Sequence, residues 1–137
     1  MAKRKTVAQL TKKYPKIRID SLDKLFSKYI RIRATKRTGG CERCRAWKAD
    51  YKQLQCAHLL GRWKGSIRWD EDNAIGACGG CHMVLDRDHT AKEEFIINHL
   101  GQERYDLLKM RARTIGRPDK ELLTIYYTQR IKELLEE

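Results

Sequence analysis

Cys41-Glu42-Arg43-Cys44 and Cys78-Gly79-Gly80-Cys81-His82 bound the stretch that decides how this chain is read. Each Cys-x-x-Cys turn presents two sulfurs to one point, and two such turns supply the four thiolates of a closed tetrahedral zinc site. The two turns are separated by 33 residues. Residues 1–20 carry no apolar secretory segment, so a reducing compartment is expected, where paired knuckles read as metal rather than disulfide. Cys41, Cys44, Cys78 and Cys81 are therefore the expected ligands of a structural zinc. Cys56, the fifth cysteine, is expected as a strand residue outside the site.

Zinc held by four thiolates has no open position, so chemistry must come from other polar groups on the same frame. Between the knuckles lie His58, in the apolar run Gln55-Cys56-Ala57-His58-Leu59-Leu60, and Asn73, 15 residues later. His82 follows the last cysteine directly. The expected layout is a strand over residues 54–60 ending near His58, a loop at 61–72, a second strand at 73–77, and a helix from Cys81 to about Arg87. Arg62, Lys64 and Arg68, set around Gly61 and Gly65, are expected to meet phosphates. Ile67 and Trp69 are expected to pack inward, Asp70 to Asp72 to fix the turn, and Trp47 to cover the zinc or the core, with stacking on a base as the alternative.

Composition narrows the partner. The 137 residues carry a formal net charge of +12, and residues 1–37 hold 13 of the 30 Lys and Arg against two of the 18 carboxylates. So uneven a distribution points to a polyanion met mainly by the N-terminal third. No apolar run is long enough to cross a membrane. Residues 1–20 are expected as a basic flexible arm that orders on DNA, and residues 21–137 as one domain. Its core is expected at about 41–90 and its C-terminal helices at 91–135. Asp20 and Ser21 are candidate caps for a helix over 22–34. The apolar stripe of that helix is Leu22, Leu25, Phe26, Tyr29 and Ile30, and Arg31 and Arg33 on its basic side are candidate DNA contacts. Helices are also expected at 91–100, 103–113 and 120–135, the last closing the core or pairing with a second subunit.

The order His, Asn, then knuckle plus His resembles the HNH, or His-Me finger, nucleases. That resemblance implies an α+β fold: a zinc-stapled ββα-metal core with flanking N- and C-terminal helices. It also implies roles. His58 would be the general base, Asn73 would hold the backbone that orients it, and His82 would ligate a catalytic Mg2+ or Mn2+. Many members carry Asp immediately before the base as a second metal ligand; here that residue is Ala57, and Asp86 and Asp88 lie nearby in sequence. The helix Leu22 to Arg33, followed by Cys-x-x-Cys, Cys56-Ala57-His58, Arg68-Trp69-Asp70-Glu71-Asp72-Asn73 and the second Cys-x-x-Cys, is similar to the NinG/Rap recombination proteins of lambdoid phages. This likeness covers roughly residues 21–110. That family typically has an acid three residues before the base, where Gln55 stands here.

What the resemblance implies is a metal-dependent endonuclease selective for branched DNA, including Holliday junctions. It would work as a homodimer in the cytoplasm of a host cell. A general HNH nicking endonuclease on duplex DNA and a non-catalytic zinc-containing recombination accessory protein are the alternatives.

Overall fold

The computed structural model describes residues 18–62 and 64–137. The chain is α+β, with a two-stranded antiparallel hairpin between two groups of helices. Helix α1 (Ser21–Thr38) opens on a capping box: the Asp20 carboxylate accepts the Asp23 N–H at 3.0 Å, and the Asp23 carboxylate accepts the Asp20 N–H at 2.8 Å. It runs one turn beyond the expected end and stops at Gly39, whose φ of 75° terminates it in the left-handed conformation. The first knuckle follows. Strand β1 (Gln55–His58) pairs with β2 (Ala74–Ala77), opposing Gln55 to Ala77 and His58 to Ala74. Next come α2 (Gly79–Arg87), α3 (His89–Leu100), α4 (Gln102–Arg113) and α5 (Lys120–Glu136, capped by Asp119). Among the described residues no helix is long and apolar enough to cross a membrane.

The period-two alternation of the hairpin assigns its faces. Ala57 and its partner Ile75 point to one side and pack with Leu85, Ile96 and Leu108 of α2, α3 and α4. Cys56, Gly76 and Ala74 point to the other, toward α1. There Phe26, Tyr29 and Ile30 of α1 pack with Trp69 and with Tyr127, Ile131 and Leu134 of α5. Gly76 is glycine because α1 lies directly on it: a Cβ there would stand 2.5 Å from the Ala34 Cβ. Helix α5 thus closes the core, while Leu122, Ile125 and Leu135 remain exposed.

The connection from β1 to β2 is tied at several points. Ile67 and Trp69 pack inward as expected. Asp70 and Asp72 fix the turn, the former accepting the Asp72 N–H at 3.0 Å. Both pair with Arg111 of α4, at 2.6 and 3.3 Å, and Asp72 also pairs with Arg104 at 2.5 Å. The buried Asp23 accepts the Arg68 Nε–H at 2.9 Å and the Trp69 indole N–H at 3.0 Å, so the first turn of α1 anchors the end of the loop.

Two expectations are corrected here. Arg33 is not a surface cation. It lies four residues after Tyr29 and three after Ile30, on the buried stripe of α1. Its guanidinium donates to the carbonyls of Glu71 at 3.0 Å and Ala74 at 2.8 Å, with Glu42 3.9 Å away. Trp47 covers neither zinc nor core: it is 75% exposed, because its backbone bridges Gly40 at the surface of the knuckle. The basic arm expected at 1–20 falls, through residue 17, outside the described residues.

Candidate metal centre and cleft

Four sulfurs meet where the knuckles converge. The Sγ atoms of Cys41, Cys44, Cys78 and Cys81 all lie within 4.8 Å of one another. The Cys44 and Cys78 sulfurs are 3.8 Å apart. That is far beyond a disulfide and matches the edge of about 3.8 Å that a tetrahedron with Zn–S of about 2.3 Å requires. Each knuckle folds on itself through an N–H···S bond, Cys44 to Cys41 and Cys81 to Cys78, both 3.5 Å. Arg43 donates to the Cys81 sulfur at 3.4 Å. Burial and the three neighbouring sulfurs push the Cys81 thiol up to about 12, against that arginine. Burial also opposes ionisation of Cys41, but backbone N–H donors hold its thiol down at about 7. The chemistry and geometry of the cluster fit a structural zinc.

The hairpin carries the second constellation. A cleft of about 310 Å3 is lined by Cys56 and His58 of β1, Gly61 and Arg62 of the loop, His82 and Asp86 of α2, and Lys92 of α3. The His58 imidazole packs against the Phe26 ring, centroids 5.8 Å apart, and its Nε2 meets the Arg68 carbonyl at 3.0 Å. A carbonyl only accepts, so Nε2 carries the proton and Nδ1 keeps a lone pair. Burial, reinforced by Arg62, depresses the His58 pKa to about 4, so the ring is neutral at pH 7. His82 is held through its other ring nitrogen: Nδ1 donates to the Gln55 side-chain oxygen at 2.7 Å, and Nε2 lies 3.5 Å from the Asp86 carboxylate.

Asn73 is fully buried beneath the loop, not in the cleft. Its Oδ1 accepts the Leu60 N–H at 2.8 Å, and its Nδ2 donates to the carbonyls of Ile67 at 3.0 Å and Gly61 at 3.2 Å. One side chain therefore staples both ends of the loop that leaves His58 and returns at Arg68.

Among the expected DNA contacts, Arg62 lines the cleft and Lys64 is exposed. Arg68 is held elsewhere: its guanidinium pairs with Asp23 and donates to the Arg18 carbonyl at 2.7 Å. Arg31 is half-buried, its Nε bonded to the Ser27 carbonyl at 3.1 Å and its guanidinium 5.3 Å from the Tyr51 ring centre. Cys56 is a half-buried strand residue whose thiol burial pushes up to about 12. Lys92 and Gln55 were not singled out as site residues by sequence reasoning. Gln55 had a signal, the i−3 spacing from His58; Lys92, on a separate helix, had none. Asp86 stands four residues after His82, the spacing that stacks two side chains on one helix face. No protein-family model, curated protein or solved structure matches this chain.

Proposed function

We propose that this chain is a metal-dependent DNA endonuclease of the HNH type, selective for branched DNA and related to the NinG/Rap recombination proteins. One observation carries the reading. A neutral histidine from a strand and a second histidine from the following helix, each with one ring nitrogen held by a hydrogen bond, line a single cleft beside Asp86, Arg62 and Lys92.

The divisions of labour follow from those bonds. His58 Nδ1, with its lone pair free and its ring held by the Arg68 carbonyl, takes a proton from the attacking water. Asn73 acts through the loop, keeping that carbonyl in register, and is a positioning residue. Arg62 and Lys92 face the phosphate of the scissile strand. His82 Nε2 and the Asp86 carboxylate would hold a Mg2+ or Mn2+ ion. The Gln55 oxygen on His82 Nδ1 is the orienting partner that a metal-bound imidazole usually has. Asp86 thereby stands in for the carboxylate that Ala57 cannot supply. When bound, the ion offsets charge on the phosphate and the leaving oxygen. The four-thiolate cluster serves as the frame, since Cys81 and His82 are adjacent in the chain.

Symmetric nicking of a four-way junction calls for two equivalent sites, so the working unit is a homodimer. Its site of action is the cytoplasm of the host cell. The test is cleavage of a labelled four-way junction beside a linear duplex of matched sequence by the zinc-loaded protein, with Mg2+, with Mn2+ and with neither ion added. Preferential, metal-dependent nicking of the junction supports the proposal. Equal cleavage of duplex makes the protein a general nicking enzyme, and binding without cleavage makes it an accessory protein.

A further inference from the structure

The first knuckle presents an exposed indole on a rigid backbone. Trp47 bridges Gly40 in antiparallel fashion. Around it, Cys41 N–H bonds the Ala46 carbonyl, Lys48 N–H the Gly39 carbonyl and Arg45 N–H the Cys41 carbonyl, at 3.1, 3.0 and 3.0 Å. Gly40 cannot be replaced, because a Cβ there would stand 2.0 Å from the Ala46 carbonyl oxygen. A tryptophan 75% exposed on so constrained a turn leaves a large apolar face in water and does nothing for the core.

Charge identifies what covers it. Residues 36–52 contain Lys36, Arg37, Arg43, Arg45, Lys48 and Lys52 against two carboxylates, of which Glu42 is buried. Among the described residues Arg37, Arg45, Lys48 and Lys52 enter no ion pair, so none of them is neutralised by a neighbouring carboxylate. An exposed aromatic ring on a segment rich in cations is the combination that binds single-stranded nucleic acid, the cations on the backbone and the ring on a base. A continuous duplex buries its base faces in the stack. Only a single strand, a fraying end or a branch point offers one.

We infer that the Trp47 face of the first knuckle stacks an unpaired nucleobase, with Arg37, Arg45 and Lys48 on the flanking phosphates. The inference rests on the nucleic-acid reading above and deepens it, because it names the structural feature that separates a branched substrate from a linear one. The knuckle and the cleft share one rigid frame: Arg43 of the first turn bonds the Cys81 sulfur, and His82 follows Cys81.

The experiment measures equilibrium binding by fluorescence anisotropy. Its probes are a labelled single-stranded oligonucleotide, a four-way junction and a covalently closed duplex minicircle with every base paired. All measurements use full-length, zinc-loaded His58→Ala protein with no Mg2+ or Mn2+ added. Adding Trp47→Ala is expected to weaken binding of the single strand and the junction about 5- to 150-fold, the value of one stacked base, and to leave the closed duplex within about twofold. Trp47→Phe keeps a stacking face and is expected to restore most of that loss. Arg45→Ala with Lys48→Ala weakens all three probes and lowers the salt dependence. The inference is overturned if Trp47→Ala binds as its parent does, if it loses equally on all three probes, or if Trp47→Phe is as weak as Trp47→Ala. A Trp47-dependent preference in a protein that never cleaves keeps this inference and removes the nuclease reading. Cleavage that Trp47→Ala leaves unchanged, with unchanged binding, does the reverse.

Discussion

Replacing Asn73 separates its structural role from any direct part in chemistry. Its amide makes three hydrogen bonds from a fully buried position. Asn73→Ala strands the buried Ile67 carbonyl and removes the partner of the part-buried Leu60 N–H and Gly61 carbonyl. At about 1–3 kcal/mol for each stranded group, the loss is about 3 kcal/mol. For a chain of this size that is a fall of about 10 °C in Tm. Asn73→Asp is more informative. One oxygen still accepts the Leu60 N–H, but the other now faces two carbonyl oxygens. That repulsion raises the folded-state pKa of the new carboxyl, whose protonated form can donate to one of them. A group with a raised folded pKa contributes most below its unfolded pKa and loses that contribution as pH rises through the folded value. The deficit of Asn73→Asp relative to wild type should therefore be largest near pH 8 and shrink toward pH 5, while that of Asn73→Ala stays flat. Thermal melts followed by circular dichroism across that range, with zinc present, measure both. An Asn73→Asp protein as stable as wild type at pH 8, or an Asn73→Ala deficit under about 1 kcal/mol, refutes the reasoning.

Three further outcomes follow from the same geometry. Chelation, or Cys41→Ser at the buried ligand, should abolish cooperative folding, since structural zinc contributes about 10–16 kcal/mol in small domains; metal analysis should find one zinc per chain in wild type and none in the variant. His58 is depressed from 6.5 to about 4, so the unfolded state binds its proton first. Stability is full above pH 6.5 and falls as pH drops toward 4, by about 3 kcal/mol from this group, and His58→Ala should flatten that slope in denaturant titrations. Gly76→Ala should cost about 1–3 kcal/mol by driving α1 off the hairpin, whereas Gly80→Ala, with open space around it, should cost far less.

The knuckles and the hairpin were legible because both rest on local rules. Cys-x-x-Cys spacing fixes two sulfurs per turn, and alternation fixes the faces of β1 and β2. Helix α1 was legible through its Asp20 cap and apolar stripe. Arg33 was misread because its charge was allowed to outvote its place on that stripe, four residues after Tyr29. Arg68 was misread because its partner, Asp23, lies 45 residues away and nothing local announces the pair. Trp47 illustrates the reverse error: hydrophobicity argues for burial, but the bridge to Gly40 keeps the ring outside. Lys92 enters the cleft only through the packing of α3, which no periodicity encodes. Gln55 and Asp86 were within reach, by their i−3 spacing to His58 and i+4 spacing to His82.

Cleavage of a labelled four-way junction by wild type and by His58→Ala, in Mg2+ or Mn2+ and with zinc content and melting curve checked for both, tests the central claim most directly. The expected result is a folded, zinc-loaded variant whose cleavage rate falls by at least about 100-fold, the usual share of a general base. A His58→Ala protein that cuts at the wild-type rate would contradict it.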